Sequence, residues 1–153
     1  MKSIRHTNNM NGEEIGSASC YNGTTVISIM KHMSHYLGNI EKKTLDNVNY
    51  REVVYTGPKM QLVVMSLDAG EEIGEEVHAN HDQFLRVESG EGKAVLDGVP
   101  YDIQEGDAII VPAGMLHNIV NTSSDKELKL YTIYAPPEHK PGTLHPRKRD
   151  ASE

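Results

Sequence analysis

From residue 45 onward, short apolar runs alternate with turn signals along most of the chain. Strands separated by short turns, with no long helical pattern between them, predict an all-β barrel or sandwich. The strongest hairpin signal is Asp97-Gly98, which is typical of a two-residue turn between antiparallel strands. Besides the motif strands discussed below, the pattern predicts strands over residues 50–55, 61–67, 93–96, 99–103, 108–111 and 129–134, and residues 61–67 and 108–111 read as buried runs.

The N-terminal part follows a different pattern. Residues 1–25 are rich in Asn, Gly, Ser and Thr without an apolar period, which predicts disorder. A short amphipathic helix is predicted next, with Gly38-Asn39 as its stop signal, because apolar residues recur at helical spacing at Val26, Met30, Met33 and Leu37. An alternative is that translation begins at Met30 or Met33.

Composition narrows the class of partner. The 153 residues suit one domain with a real core, and the net charge of −7 argues against nucleic acid and anionic membrane surfaces. The single cysteine, Cys20, cannot form an internal disulfide, which favours a cytoplasmic protein. Neither a membrane-spanning apolar run nor a signal peptide is expected. A small molecule is the expected partner.

The candidate chemistry lies in two glycine-bounded stretches, residues 70–90 and 106–121. Side chains two apart on a strand share a face, so Glu76 and His78 can aim at one point. Residues 79–82 are short and polar, as a reversal between antiparallel strands should be, and Gln83 then opens the next strand. Since His117 follows a Pro-Ala-Gly turn at the start of another strand, three strands can deliver these side chains to one pocket.

The spacing of the second stretch resembles a cupin motif. Cupins are small β-barrels that bind a metal inside the barrel, and their second motif is G-x5-P-x-G-x2-H-x3-N. This sequence matches it at every fixed position: Gly106, Pro112, Gly114, His117 and Asn121. The resemblance therefore implies that His117 is a metal ligand.

The first stretch keeps the spacing of the other cupin motif, G-x5-H-x-H-x3/4-E-x6-G, but changes two ligands. With Gly70 and Gly90 in register, Glu76 stands at the first His, His78 at the second and Gln83 at the Glu. The implied ligand set is thus Glu76, His78, Gln83 and His117, with the same total charge as the usual His3Glu set. Its harder donors favour Mn, Fe(II) or Mg over Cu(I) or Zn, although the general affinity order favours Cu and Zn, so we expect Mn, Fe or Zn. Gln83, a weak donor, is alternatively a partner of a metal-bound water.

The resemblance covers about residues 36–148 and is closest to small single-domain bacterial cupins. It implies a cupin jelly-roll β-barrel, a monocupin because no internal repeat occurs, and by the habit of that fold a homodimer. We expect an N-terminal extension over 1–35, the barrel over 36–140 and a C-terminal tail over 141–153, with the stretch after Pro136 on the surface.

Two classes of function fit this sequence. One is a metal-dependent enzyme that acts on a small polar molecule, either a sugar-type isomerase or an Fe(II)-type dioxygenase, and we favour this class over the other. The other is a non-catalytic module that binds or senses a small ligand. Glu76, His78 and His117 form the two-His, one-carboxylate set of non-haem iron sites. Isomerisation also needs a base, for which Glu76, His81 and Tyr101 are the candidates. His81 is expected to be exposed on its turn, able to swing toward the pocket as a proton shuttle.

Overall fold

The structure, a computed structural model, describes residues 35–151 and the backbone of residues 18–21 and 24–27. The two N-terminal segments are strands, β1 (Ala18–Tyr21) and β2 (Thr24–Ile27), which pair antiparallel. Disorder is therefore the wrong prediction for the part of residues 1–25 that these strands cover; residues 1–17, 22 and 23 lie outside the described part. The predicted helix is also wrong where it can be compared, because Val26 belongs to β2. Residues 28–34 lie outside the described part.

The described residues contain one short α-helix, α1 (Ile40–Asp46), which precedes the strands of residues 51–145. Asn39, predicted to help end a helix, instead caps the start of this one, where its side chain accepts a hydrogen bond of 2.9 Å from the Lys42 backbone N–H. Within the described residues, no helix has the length and apolar character needed to cross a membrane.

The strands between residues 51 and 145 form two antiparallel sheets. Their bounds are β3 (Arg51–Thr56), β4 (Gln61–Leu67), β5 (Glu76–Val77), β6 (Asp82–Ser89), β7 (Glu91–Leu96), β8 (Val99–Gln104), β9 (Ala108–Val111), β10 (Leu116–Asn121), β11 (Leu128–Ala135) and β12 (Leu144–His145). In the six-stranded sheet the order is β12-β3-β4-β11-β6-β9, and in the four-stranded sheet it is β5-β10-β7-β8. A 3-10 helix, Lys148–Ala151, follows the last strand.

One buried core joins the two sheets. Alternate residues of β6, such as Leu85 and Val87, point into it, and so does Ile119 of β10 in the other sheet. Because a single apolar cluster takes side chains from both sheets, the sheets pack face to face. The predicted all-β jelly-roll is confirmed.

Glycine is required at position 90, where the first motif ends. At Gly90 the backbone has a φ of 94°, and a Cβ there would lie 2.6 Å from the carbonyl oxygen of Glu127. Any other residue would combine a left-handed backbone with a clash against a backbone atom. This glycine therefore sets how closely β6 can approach the start of β11.

Strand β9 departs from its predicted environment. It was expected to be a buried run, yet Val111 is its one buried residue and Ile110 is 70% exposed. The reason is position, because β9 is the last strand at one edge of the six-stranded sheet. Whether a second copy of the chain covers this edge in a homodimer stays a prediction.

The segment after β11 lies mostly at the surface, as the sequence suggests, but it is attached to the barrel and is not a free tail. Strand β12 pairs with β3, and the fully buried side chain of Gln61 holds the backbone of His139 through two hydrogen bonds. Gln61 Nε2 donates to the His139 carbonyl oxygen at 2.7 Å, and the His139 N–H donates to Gln61 Oε1 at 2.9 Å. We call this arrangement the Gln61 clamp. It holds the neighbouring Glu138 over one end of the barrel.

Candidate metal centre

Three of the predicted ligands meet at one end of the barrel. Glu76 of β5 lies directly opposite His117 of β10 in the strand pairing, and His78 follows β5. One ligand atom from each of the three residues lies within 4.8 Å of the others. The His78 and His117 rings are 5.2 Å apart, and His78 Nε2 is 3.3 Å from a Glu76 carboxylate oxygen. The structure thus assembles the predicted two-His, one-carboxylate group.

His117 is oriented for metal binding by its own backbone surroundings. Its Nδ1 lies 3.1 Å from the Met115 carbonyl oxygen, which can only accept, so Nδ1 carries the proton. The lone pair is therefore on Nε2, which is buried and has no hydrogen-bond partner among the described residues. A histidine whose second nitrogen is anchored to a carbonyl is the usual arrangement of a metal ligand.

Gln83 lies on the inward face of β6, as predicted, and is 1% exposed. Its Nε2 donates to Thr132 Oγ1 at 3.0 Å, while its Oε1 is buried without a hydrogen-bond partner in the described part of the chain. Its pairing partner on β11 is Tyr134, whose ring lies 5.6 Å from that of His78. Gln83 therefore has an acceptor oxygen available beside the group of three.

A second group shares His78 and contains a residue that sequence reasoning missed. Glu138 contacts His81 Nε2 through one carboxylate oxygen, and its other oxygen lies 3.8 Å from His78 Nδ1. The His81 ring stacks on that of His78 at 5.2 Å, and its side chain is only 16% exposed. The expectation that His81 is exposed is therefore wrong. No motif spacing includes Glu138; the only local hint was its place directly after the prolines that end the last long strand.

The third candidate base, Tyr101, is not brought to this site. It lies on β8, an edge strand of the four-stranded sheet, and is 53% exposed. It does not line the cleft over Glu76 and His78. The tyrosine that does lie beside the histidines is Tyr134, and burial raises the pKa of its hydroxyl, which therefore stays protonated.

The charges of the site are coupled in the absence of metal. Burial alone would raise the pKa of Glu76. The hydrogen bond from His78 and the positive charges of His78, Arg51 and His117 together outweigh burial, so the pKa of Glu76 lies below its usual value. The hydrogen bond to Glu76 in turn raises the pKa of His78. The metal-free site therefore favours a carboxylate beside an imidazolium.

This coupling predicts a pH-dependent stability for the metal-free protein. Glu76 stabilises the fold above its ordinary pKa of 4.5 and loses that contribution as pH falls through its lower folded value. His78 stabilises the fold below its ordinary 6.5 and loses its contribution as pH rises through its higher folded value. Melting temperatures in a chelator should therefore show an advantage of the parent over Glu76→Gln between about pH 4.5 and 6.5, fading on both sides. A difference in melting temperature that stays the same well below and well above this range would contradict the coupling.

The residues fit a divalent metal ion. A carboxylate and two imidazoles converge, and two further acceptor atoms, His117 Nε2 and Gln83 Oε1, are buried without hydrogen-bond partners among the described residues. Buried polar atoms are normally satisfied, and a metal ion or its bound water would satisfy these. Thiolates are absent from the group, which suits Mn, Fe or Zn more than Cu(I).

A cleft of about 780 Å³ opens over this group. Glu76, His78 and Glu138 line it together with Arg51 of β3 and two cationic residues of the 3-10 helix, Lys148 and Arg149. A pocket of about 860 Å³ elsewhere on the barrel contains no histidine among its lining residues. The cleft over Glu76 is therefore where a small molecule could reach a bound metal.

Comparison with known proteins identifies the family. A family model described as cupin domain matches residues 63–134. The uncharacterized protein YrkC of Bacillus subtilis is 43% identical over 122 residues, which span 76% of this chain and 65% of YrkC, slightly under two thirds of that protein's length. The crystal structure of BH2720 from Bacillus halodurans shares 40% identity, with a TM-score of 0.75 over 79% of this chain and 96% of that one. An RmlC-like cupin from Shewanella frigidimarina shares 25% identity, with a TM-score of 0.53 over 58% and 77% of the two chains. With the jelly-roll and both motifs in place, this chain belongs to the cupin superfamily.

Proposed function

We propose that this cupin is a divalent-metal-dependent enzyme acting on a small polar molecule. The observation that carries the proposal is the convergence of Glu76, His78 and His117 beneath an open cleft, where the buried Nε2 of His117 has no hydrogen-bond partner among the described residues. The metal would supply Lewis-acid polarisation of a carbonyl or hydroxyl oxygen of the substrate. Gln83 would contribute a fourth oxygen or hold a water beside it.

The chain itself supplies a group that can move a proton. His81 and Glu138 are in contact with each other, and both lie next to His78. A carboxylate next to one ring nitrogen fixes which nitrogen of His81 carries the proton and leaves the other nitrogen able to accept one. This pair favours an isomerase-type reaction, in which a proton is removed from a carbon next to a carbonyl group.

A second candidate, an Fe(II)-dependent dioxygenase, is favoured by the ligand set. Two histidines and one carboxylate are the protein ligands of many non-haem iron oxygenases, which need open coordination positions. In that case the His81–Glu138 pair would orient His78 through its Nδ1 and would not act as a base.

One experiment separates these functions. Protein purified without chelator or affinity resin would be analysed for metal, then incubated in D₂O with a panel of small hydroxy-carbonyl compounds while oxygen uptake is followed. Deuterium incorporation without oxygen uptake is expected, with His81→Gln and Glu138→Gln slowing it by at least about 100-fold at unchanged metal content. Tyr101→Phe is the control and should not slow it.

Other results would redirect or reject the proposal. Iron with oxygen uptake would support the dioxygenase instead. Bound metal with neither reaction would support a non-catalytic binding module, and protein that takes up no divalent metal would refute the metal-dependent function altogether.

A further inference from the structure

Arg51 is a buried cation with very little to pair with. Its side chain is only 5% exposed. Within the part of the chain that the structure describes, its one ion pair is with Glu76, whose carboxylate oxygen lies 3.9 Å from Nη2. Its Nε is buried without a hydrogen-bond partner among the described residues, and its guanidinium carbon lies 5.5 Å from the centre of the Tyr50 ring. A guanidinium N–H that is buried without a hydrogen-bond partner is costly. Arg51 is also one of the residues that line the cleft over the candidate metal centre.

A bound metal would leave Arg51 still less satisfied. Glu76 is both its ion-pair partner and a candidate metal ligand, so coordination would draw that carboxylate toward the metal. The charged side chains that line the cleft are otherwise balanced, with three carboxylates against three cations, namely Glu71, Glu76, Glu138, Arg51, Lys148 and Arg149. A divalent ion would therefore make the loaded cleft net positive, which favours an anionic ligand.

We infer that Arg51 binds the carboxylate group of a small hydroxy or oxo acid whose other oxygen reaches the metal. This inference rests on the metal-dependent function proposed above and names the class of its substrate. The planar guanidinium fork matches the two oxygens of a carboxylate, and the short distance between Arg51 and Glu76 requires the second oxygen to lie on a nearby carbon. A phosphate would bring more negative charge against Glu71 and Glu138, and none of the described residues that line the cleft is a glycine whose backbone could hold it closely.

The test compares a charged probe with its neutral counterpart. Lactate and lactamide have the same hydroxyl group and nearly the same shape, but only lactate is an anion. Each would be titrated calorimetrically into the Zn²⁺-loaded protein, with metal content measured for every variant. We expect Arg51→Gln to weaken lactate binding by at least about thirtyfold and to leave lactamide binding unchanged. Arg51→Lys, which keeps the charge but not the fork, should fall between the parent and Arg51→Gln.

Arg86 provides the matched control. It is also a strand arginine near a carboxylate, 3.6 Å from Glu88, but it does not line the cleft. Arg86→Gln should leave the binding of both probes unchanged. If Arg51→Gln does not fold, Arg51→Lys carries the same comparison with a smaller expected loss.

The contrary outcomes are distinct. Equal losses for lactate and lactamide would mean that Arg51 is structural, and inorganic phosphate binding more tightly than lactate would overturn the carboxylate class; either result, with Zn²⁺ retained, leaves the proposed function standing. Failure of the parent protein to hold Zn²⁺ would instead refute the proposed function and this inference with it.

Discussion

His117→Ala is expected to weaken divalent-metal binding more than about 100-fold, since even residues that only support a ligand commonly contribute 10- to 100-fold. His117 provides a buried Nε2 lone pair, and the hydrogen bond from its Nδ1–H to the Met115 carbonyl oxygen fixes the direction of that lone pair. The measurement is a competition titration of metal against a chromophoric chelator at neutral pH.

His81→Ala is the matched comparison for this experiment. His81 belongs to the second group, with His78 and Glu138, whereas His117 belongs to the first, and His78 is common to both. If metal binds in the first group, His81→Ala should retain nearly the affinity of the parent. A large loss in His81→Ala with little loss in His117→Ala would place the metal in the second group and contradict our assignment.

Gln83→Glu should change the metal-bound and metal-free proteins in opposite directions. With metal bound, a second carboxylate beside Glu76 is neutralised by the cation, so affinity for a divalent ion should rise. Without metal, two carboxylates at one site repel, and one of them should have a raised pKa. Chemical denaturation with and without metal, at several pH values, measures both effects.

The sign of the metal-free effect follows from proton uptake. A carboxyl whose pKa is raised by folding binds its proton more readily in the folded state than in the unfolded state. The penalty is therefore fully present at neutral pH and disappears as pH falls through the raised folded pKa. The metal-free variant should be less stable than the metal-free parent at pH 7 and recover toward pH 4.

Gln61→Glu is the control for Gln83→Glu. Gln61 is also a fully buried glutamine on an inward face, but its partner is the His139 backbone. A carboxylate there would lose the donor to the His139 carbonyl, so stability should fall with and without metal alike. If Gln83→Glu behaves like this control, Gln83 does not contact the metal, and the site has three protein ligands.

Much of the barrel could be predicted from local patterns because its strands are encoded locally. The run from Gln61 to Leu67 coincides with β4, and the Asp97-Gly98 turn joins β7 to β8. The sequence pattern did not predict burial correctly where burial depends on a strand's place in the sheet. Ile110 is an example, since it is exposed because β9 lies at a sheet edge. The pattern failed also near Val26, where helical spacing of apolar residues occurs within a strand.

The residues of the candidate site also fall into two groups, those that the sequence could predict and those that it could not. Glu76, His78, Gln83 and His117 could be predicted because the motifs fix their spacing along the chain. Glu138 and Arg51 could not, because their places depend on contacts between distant segments. Arg51 is brought to the cleft by the strand pairing of β3, and Glu138 by the Gln61 clamp, which joins residues 78 positions apart.

The Gln61 clamp also has a consequence for how this protein can diversify. The two hydrogen bonds to His139 let a side-chain amide act as a peptide group, so the segment after β11 is held by its backbone whatever its own side chains are. Substitutions at position 138 can therefore change the chemistry at the mouth of the site without disturbing the apolar core, which lies between the two sheets. The barrel and its rim are thus separable targets for evolution and for design, with the metal group retained and the reaction altered by exchanging a short terminal segment.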